Sequence, residues 1–426
     1  MKAPNPSPAA LMINADRLWR NIETLSTFTD PANPWTRRAF TPLHQQGRRW
    51  LEEQMELAGL VVSMDGAGNL IGRRNGRKPN LHPLVTGSHT DTVNAGGRFD
   101  GILGVLAGIE VAHSLNEHEL ELDHPLEVID FMSEEPSDYG ISCVGSRAMA
   151  GKLDAVMLSS PDHTGETLAQ GLSRIGAQPS TIASAKRANK STAAYLELHI
   201  EQGPVLEQKD LPIGVVTHIV GGRRIAVTIL GTAGHSGTTP MPLRSDALVA
   251  ASLLVAGAYR QATRLNGSEH YVVATVGRLL VEPNMANAIP GKVDLVLEVR
   301  SDSNSVLDSF PEDLLSVIAA DIEPLDVQIS MKELTRSDVT NCSSELIQVI
   351  DAVASELGYG TMHLPSGAGH DGVYISQTGP IGMIFVPCLN GRSHCPEEWA
   401  ALEAVQAGTQ VLLHSLLKLD RTLSQP

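Results

Sequence analysis

Three short apolar runs in this chain each end on a polar segment carrying imidazole or carboxylate groups. That repeated pattern constrains the fold more than any other feature. Residues 82–86 run into Gly87-Ser88-His89-Thr90-Asp91, and residues 126–132 into Ser133-Glu134-Glu135. Residues 194–199 end on Glu197-Leu198-His199. A helix-like stretch at 101–116 separates the first two runs. Strands alternating with helices predict an α/β fold with a mostly parallel sheet. In such sheets the functional site lies outside the carboxyl ends of the strands. A further strand at 382–386 precedes the loop that carries His394. Two helices are predicted within 16–60, one with Leu18, Ile22 and Leu25 on one face, and others at 344–357 and 397–417. Short strands are predicted at 60–64 and 69–73, and Asn75-Gly76 has the composition of a hairpin turn.

Residues 216–332 have a different texture. Runs at 225–230 and 293–299 alternate apolar and polar residues, helices are predicted at 245–264 and 311–320, and a strand at 325–331. Pro311 suits the first turn of the second helix. This order predicts a small α+β domain with an antiparallel sheet, inserted into the larger one. The expected division is 1–215 with 333–426 for the larger domain and 216–332 for the insert. The length of 426 residues agrees, because it exceeds what one hydrophobic core usually serves.

Composition narrows the partners. A net charge of −16 repels phosphate backbones and anionic lipid surfaces, so neither nucleic acid nor membrane is expected as a partner. Aromatic residues at 4% argue against a base-stacking platform. Apolar stretches such as 103–112 fall short of the roughly 20 residues that span a bilayer. Segment 1–10 has no apolar leader core. The four cysteines form no C-x-x-C pair, which fits a reducing compartment. A cytoplasmic protein is expected.

The chemistry concentrates in a few segments. His89 follows a strand, and Asp91, two residues on, is placed to accept its second ring N–H. Asp100 sits in the glycine-rich loop Gly96-Gly97-Arg98-Phe99-Asp100-Gly101 at a helix start. One of Glu134 and Glu135 can bind a metal while its neighbour serves as general base. Alternation puts Glu197, His199 and Glu201 on one strand face. His394 lies in Gly391-Arg392-Ser393-His394-Cys395-Pro396, where Cys395 is expected to point away from it. Three imidazoles and two carboxylates exceed one tetrahedral zinc and suit two divalent ions bridged by Asp100.

These segments, in this order, resemble the M20 metallopeptidase and amidohydrolase family, from about residue 14 to residue 417. The branch they resemble most is that of the hydantoinase/carbamoylase amidases, because His199 stands in Leu198-His199-Ile200-Glu201-Gln202-Gly203-Pro204 where peptidase branches carry an acid. The resemblance implies that His89 and His199 hold one metal, Glu135 and His394 the other, and that Asp100 bridges them. It makes Glu134 the general base and Asp91 the residue that orients His89. It implies a catalytic α/β domain with an inserted lid that also forms a homodimer interface. In that insert Gly231-Thr232-Ala233-Gly234-His235-Ser236-Gly237 resembles the segment whose His stabilises the tetrahedral intermediate. Pro283-Asn284-Met285-Ala286-Asn287-Ala288-Ile289-Pro290-Gly291 resembles a substrate-binding segment, with Asn287 the contact. Arg300 matches an arginine that clamps the substrate carboxylate. Gln202, Gly369 and His370 complete the pocket by the same match. The chain departs from the pattern at Pro136-Ser137-Asp138, where Asp138 replaces a basic position, and at Cys395, where Asn is usual.

The implied activity is hydrolysis of the ureido bond of an N-carbamoyl-L-amino acid, releasing the amino acid, ammonia and carbon dioxide. Allantoate and β-ureidopropionate are rival substrates, and an aminoacylase or dipeptidase is a further alternative. The metals expected are zinc or manganese, with cobalt or nickel also compatible. A catalytically dead dimeric binding protein is disfavoured by the intact set of His89, Asp100, Glu134, Glu135, His199 and His394. A serine hydrolase is disfavoured because no G-x-S-x-G elbow occurs.

Overall fold

The computed structural model describes residues 11–266 and 270–424. Segment 1–10, read above for its lack of a leader core, lies outside them. The chain forms two compact units: Met1–Thr217 with Asn341–Pro426, and His218–Thr340.

In chain order the first unit contributes strands β1 (Val61–Met64), β2 (Leu70–Arg74), β3 (Leu84–His89), β4 (Leu126–Phe131), β5 (Ala194–Ile200) and β6 (Ile213–Ile219). The second contributes β7 (Gly221–Leu230), β8 (Gly234–His235), β9 (Val272–Glu282), β10 (Ala288–Ile289), β11 (Lys292–Ser301) and β12 (Gln328–Ser337). The chain then returns through β13 (Thr340–Asn341), β14 (Thr361–Ser366) and β15 (Ile381–Val386).

The large sheet has the order β1-β2-β4-β3-β5-β15-β6-β13, with β14 paired to β6. Its four central strands, β4, β3, β5 and β15, run parallel. Antiparallel partners flank them, β2 on β4 and β6 on β15. Every residue of the four central strands is buried. A parallel sheet with helices on both faces demands this, and it explains why these runs read as continuous apolar blocks. Helix Ile102–Glu117 is buried nearly all round, packing on β3 and against the C-terminal helix Leu402–Leu423. Its one buried charge, Glu110, accepts two bonds from the Arg17 guanidinium at 2.7 and 2.8 Å and one from the Asn14 amide at 2.7 Å. Such pairing is what makes a buried carboxylate tolerable.

The second unit carries a four-stranded antiparallel sheet of order β12-β7-β11-β9. Side chains of β11 alternate between buried and half-buried, as a sheet covered on one face requires. Helices Ala247–Asn266 and Asn304–Ile322 cover it, around Leu254, Leu295, Leu297, Phe310 and Leu314.

The two helices expected within 16–60 are present as Ala15–Ser26 and Pro42–Leu57, but other expectations differ. Asn75-Gly76 is no hairpin: β2 pairs with β1 and β4, and β3 lies beyond β4. The second unit ends at Thr340 rather than at residue 332, because β12 stays paired with β7 as far as Ser337. The last helix starts at Leu402, not at 397. Pro311 lies inside a helix that begins at Asn304, where the Ser303 hydroxyl caps the Val306 amide. A proline there leaves the carbonyl four residues earlier without its amide partner. Arg223 fills that role, donating from Nη1 to the Leu307 carbonyl at 3.1 Å.

Candidate metal centre

Four of the sequence-predicted segments leave the sheet at one edge. His89 ends β3, Glu134 and Glu135 follow β4, His199 lies in β5, and His394 lies in the loop after β15. Because these strands are adjacent and parallel, their carboxyl ends converge. Asp100 reaches the same place from the turn that starts helix Ile102–Glu117. Gly101 makes that turn possible: its φ is 69°, and a Cβ there would fall 2.3 Å from His89 Nε2.

The ligand-type atoms form two triads that share Asp100. His89, Asp100 and His199 present donor atoms within 4.8 Å of one another, and so do Asp100, Glu135 and His394. His199 Nε2 lies 3.1 Å from Asp100 Oδ1, and His394 Nε2 lies 2.9 Å from Asp100 Oδ2 and 3.0 Å from Glu135 Oε1. His89 and His199 are each anchored through Nδ1, at 2.9 Å from the carbonyls of Asp91 and Ile200. That contact leaves Nε2 to face the cluster. His394 differs, with its side chain 47% exposed and a left-handed φ of 56°.

Asp91 does not act as expected. Its backbone carbonyl, not its carboxylate, holds His89; Oδ1 is 3.8 Å from Nδ1. The carboxylate instead accepts the amides of Glu134 and Glu135, each at 3.2 Å. The tight loop after β4 turns both amides toward it, so the Asp91 carboxylate fixes the two glutamates while its carbonyl holds the imidazole. Burial pushes its carboxyl up to about 7.

Glu134 is half-buried beside this cluster, with Oε2 3.8 Å from His89 Nε2. Burial, with Glu135 and Asp371 nearby, raises its carboxyl well above the usual range. A raised carboxyl at the edge of such a cluster is the environment in which a proton acceptor and donor is tuned. Burial alone would raise Asp100 too, but hydrogen bonds from His199 and His394 hold it well below the ordinary carboxylate value. The bonds to Asp100 and Glu135 raise the His394 imidazole to about 10. This field favours positive charge at the cluster, and imidazole with carboxylate is a donor set for borderline divalent ions. The residues therefore fit a pair of such ions.

The pocket residues divide. Gln202, at a left-handed φ of 57°, donates to Asp100 Oδ1 at 3.1 Å and keeps its Oε1 buried without a hydrogen-bond partner. His370 is buried against the His199 ring, with centroids 4.6 Å apart, and its Nε2 lies 2.8 Å from the Ser366 hydroxyl. Gly369 beside it is exposed. Glu197, His199 and His370 also cluster like ligands, but Glu197 already accepts from Ser88 and Tyr195 at 2.7 and 2.8 Å. It reads as a hydrogen-bonded support. Glu201 lies past the end of β5, where it caps the amides of Val205 and Leu206.

In the second unit β8 pairs with β10, placing Ala288 opposite His235, and the Ser236 amide donates to the Asn287 carbonyl at 3.0 Å. Two motifs far apart in the chain thus meet in one small ladder, with His235 and Asn287 both exposed. Arg300 lies on β11 and donates from Nε to Glu298 Oε1 at 3.0 Å. Asp138 takes an ion pair from Arg38 at 2.7 Å, which gives the departure at that position a local partner.

Sequence reasoning missed two contacts. Cys143, to which no role was assigned, donates from Sγ to Glu134 Oε1 at 3.5 Å. Glu398 was lost in an acidic pair after His394, with nothing to separate it from Glu397; it is buried, and its neighbour is exposed.

Comparison with known proteins agrees with this arrangement. Residues 85–418 match the family model described as Peptidase family M20/M25/M40. The chain is 39% identical to an N-carbamoyl-L-amino acid amidohydrolase of Geobacillus stearothermophilus, over 96% of this chain and 99% of that protein. It is 35% identical to a ureidoglycolate hydrolase of Arabidopsis thaliana, over 97% of this chain and 88% of that protein. Among solved structures, a hydantoinase/carbamoylase family amidase from Burkholderia multivorans superposes with a TM-score of 0.89 at 36% identity, covering 96% of this chain and 98% of that one.

Proposed function

The chain belongs to the M20/M25/M40 peptidase family, and from that premise we propose that it hydrolyses the ureido bond of an N-carbamoyl-L-amino acid with two divalent ions. It is a hydrolase acting on C–N bonds other than peptide bonds. The observation that carries the reading is the pair of triads sharing Asp100, with the Glu134 carboxylate beside them.

His89, Asp100 and His199 would hold one ion, and Asp100, Glu135 and His394 the other. When bound, the ions supply positive charge that brings the pKa of a water to roughly 7 and polarises a carbonyl oxygen. Glu134 takes the proton from the attacking water and returns it to the leaving nitrogen. His235 donates to the developing oxyanion. Arg300 exchanges its bond to Glu298 for the substrate carboxylate, and Gln202, Asn287, Gly369 and His370 are assigned to substrate binding. The carbamic acid released breaks down to ammonia and carbon dioxide. The second unit is the lid and the homodimer interface. Its edge strand β9 leaves Val273, Leu279 and Leu280 exposed, as a strand does that a second copy pairs with. Among the described residues no helix is long and apolar enough to cross a membrane; a cytoplasmic location stays with the reading from cysteine usage.

Allantoate and β-ureidopropionate are the second reading, since both join a ureido group to a carboxylate. Ammonia release from N-carbamoyl-L-amino acids, allantoate and ureidopropionate, with release of the free amino acid from N-acetyl amino acids as control, tests the proposal in Mn²⁺ or Zn²⁺. The highest kcat/KM on a carbamoyl amino acid supports it. Turnover confined to the acetyl compounds contradicts it.

A further inference from the structure

Glu398 stands outside every role assigned above, yet its carboxylate is fully engaged. Oε1 accepts the amides of Phe99 and Asp100 at 2.8 and 3.1 Å, and Oε2 accepts the Ser393 hydroxyl at 2.7 Å. Phe99 and Glu398 are 299 positions apart in the chain. One donor residue carries the carboxylate shared by both triads, and another immediately precedes His394. A single buried side chain therefore ties the backbone of Asp100 to the loop of His394.

The surroundings keep that tie rigid. Phe99 and Trp399, next to Asp100 and Glu398 in sequence, meet edge to face at 5.6 Å, and Trp19 packs on both at 5.8 and 5.3 Å. The Arg98 guanidinium lies 4.6 Å over the Trp399 ring. Gly97 lets the loop approach: a Cβ there would fall 2.2 Å from the Glu398 carboxylate carbon.

We infer that Glu398 is a positioning residue for the metal pair, setting the separation between the Asp100 carboxylate and the His394 imidazole. The inference rests on the reading of Asp100, Glu135 and His394 as ligands. It is asymmetric. The His394 triad is tied to Glu398 twice, through the Asp100 amide and through Ser393, whereas the His89 and His199 triad is tied only through Asp100. His394 is also the exposed imidazole on a left-handed backbone, so it has the most freedom to drift when its loop is released.

The test titrates the metal-free full chain with Co²⁺, following visible absorption and bound metal by equilibrium dialysis, in wild type, Glu398→Ala, Glu398→Gln and Ser393→Ala. Losing an outer partner of a metal ligand costs roughly 10–100-fold in metal affinity. Glu398→Ala is expected to weaken one Co²⁺ equivalent by that factor and the other by much less. Glu398→Gln keeps an acceptor for the Phe99 and Asp100 amides and should restore most of the affinity. Ser393→Ala should weaken the same equivalent as Glu398→Ala, but less. Two equivalents bound to Glu398→Ala with wild-type affinity would overturn the inference. If Glu398→Ala does not fold, wild-type affinity for both equivalents in Ser393→Ala overturns it equally. A wild-type chain that binds no Co²⁺ would instead overturn the ligand reading beneath it.

Discussion

The candidate residues of the two units differ in how finished they are. In the first unit His89, Asp91, Asp100, Glu135 and His199 are buried and bonded to one another or to the backbone, and of the expected ligands only His394 is exposed. In the second unit His235 and Asn287 sit exposed on a short ladder, and Arg300 is engaged by a carboxylate of its own strand. Charge explains the contrast. Several carboxylates gathered below a parallel sheet are stable only where imidazoles, amides or cations meet them, so this cluster has to be built within one unit. Donors that meet a ligand only when it arrives do better exposed. On the proposed reading, the first unit holds metal and moves protons, and the second recognises what is cleaved.

The sharpest way to break this contrast is to separate turnover from metal content. Glu134→Gln should lower kcat by about 10²–10⁴-fold, the range for a lost general base, with both metals retained. Metal loss in that variant would make Glu134 a ligand and blur the division inside the first unit. His235→Ala should lower kcat by about 10²–10³-fold, the cost of one oxyanion donor, again with metal content unchanged. Altered metal stoichiometry there would break the comparison outright. Leu295→Ala empties part of the second core and should destabilise by about 2–5 kcal/mol in thermal or denaturant unfolding, with two metals still bound per chain. The smallest effect is expected from Arg300→Ala. It should raise KM roughly 10–100-fold for a carboxylate substrate, the value of one charge-assisted hydrogen bond, and leave kcat closer to wild type. A fall in kcat with unchanged KM would remove Arg300 from ground-state recognition.

The sequence made the site more legible than the fold around it. Apolar blocks ending at His89, Glu134 and His199 could be read because strands buried on both faces leave no alternation to confuse, and because a charged residue at such an end is conspicuous. The antiparallel flanks were less visible: β1 and β2 are short and partly exposed, so Asn75-Gly76 looked like a hairpin turn that the strand order does not contain. Pro311 misled because the compensating donor, Arg223, lies on a distant strand. Asp91 was found by its spacing from His89, but spacing cannot tell a carbonyl from a carboxylate. Glu398 was invisible because its partners are backbone amides, which carry no signature in sequence. Residues that act through side chains at strand ends announce themselves; those that act through the backbone of another loop do not.

The central claim is that the first unit holds two divalent ions between His89, His199, His394, Asp100 and Glu135. Metal analysis of the purified chain, reconstituted with Mn²⁺ or Zn²⁺ and compared with Asp100→Asn, tests it most directly. Two equivalents per wild-type chain, with marked loss in Asp100→Asn, are predicted. A wild-type chain that binds one ion or none after reconstitution would contradict it.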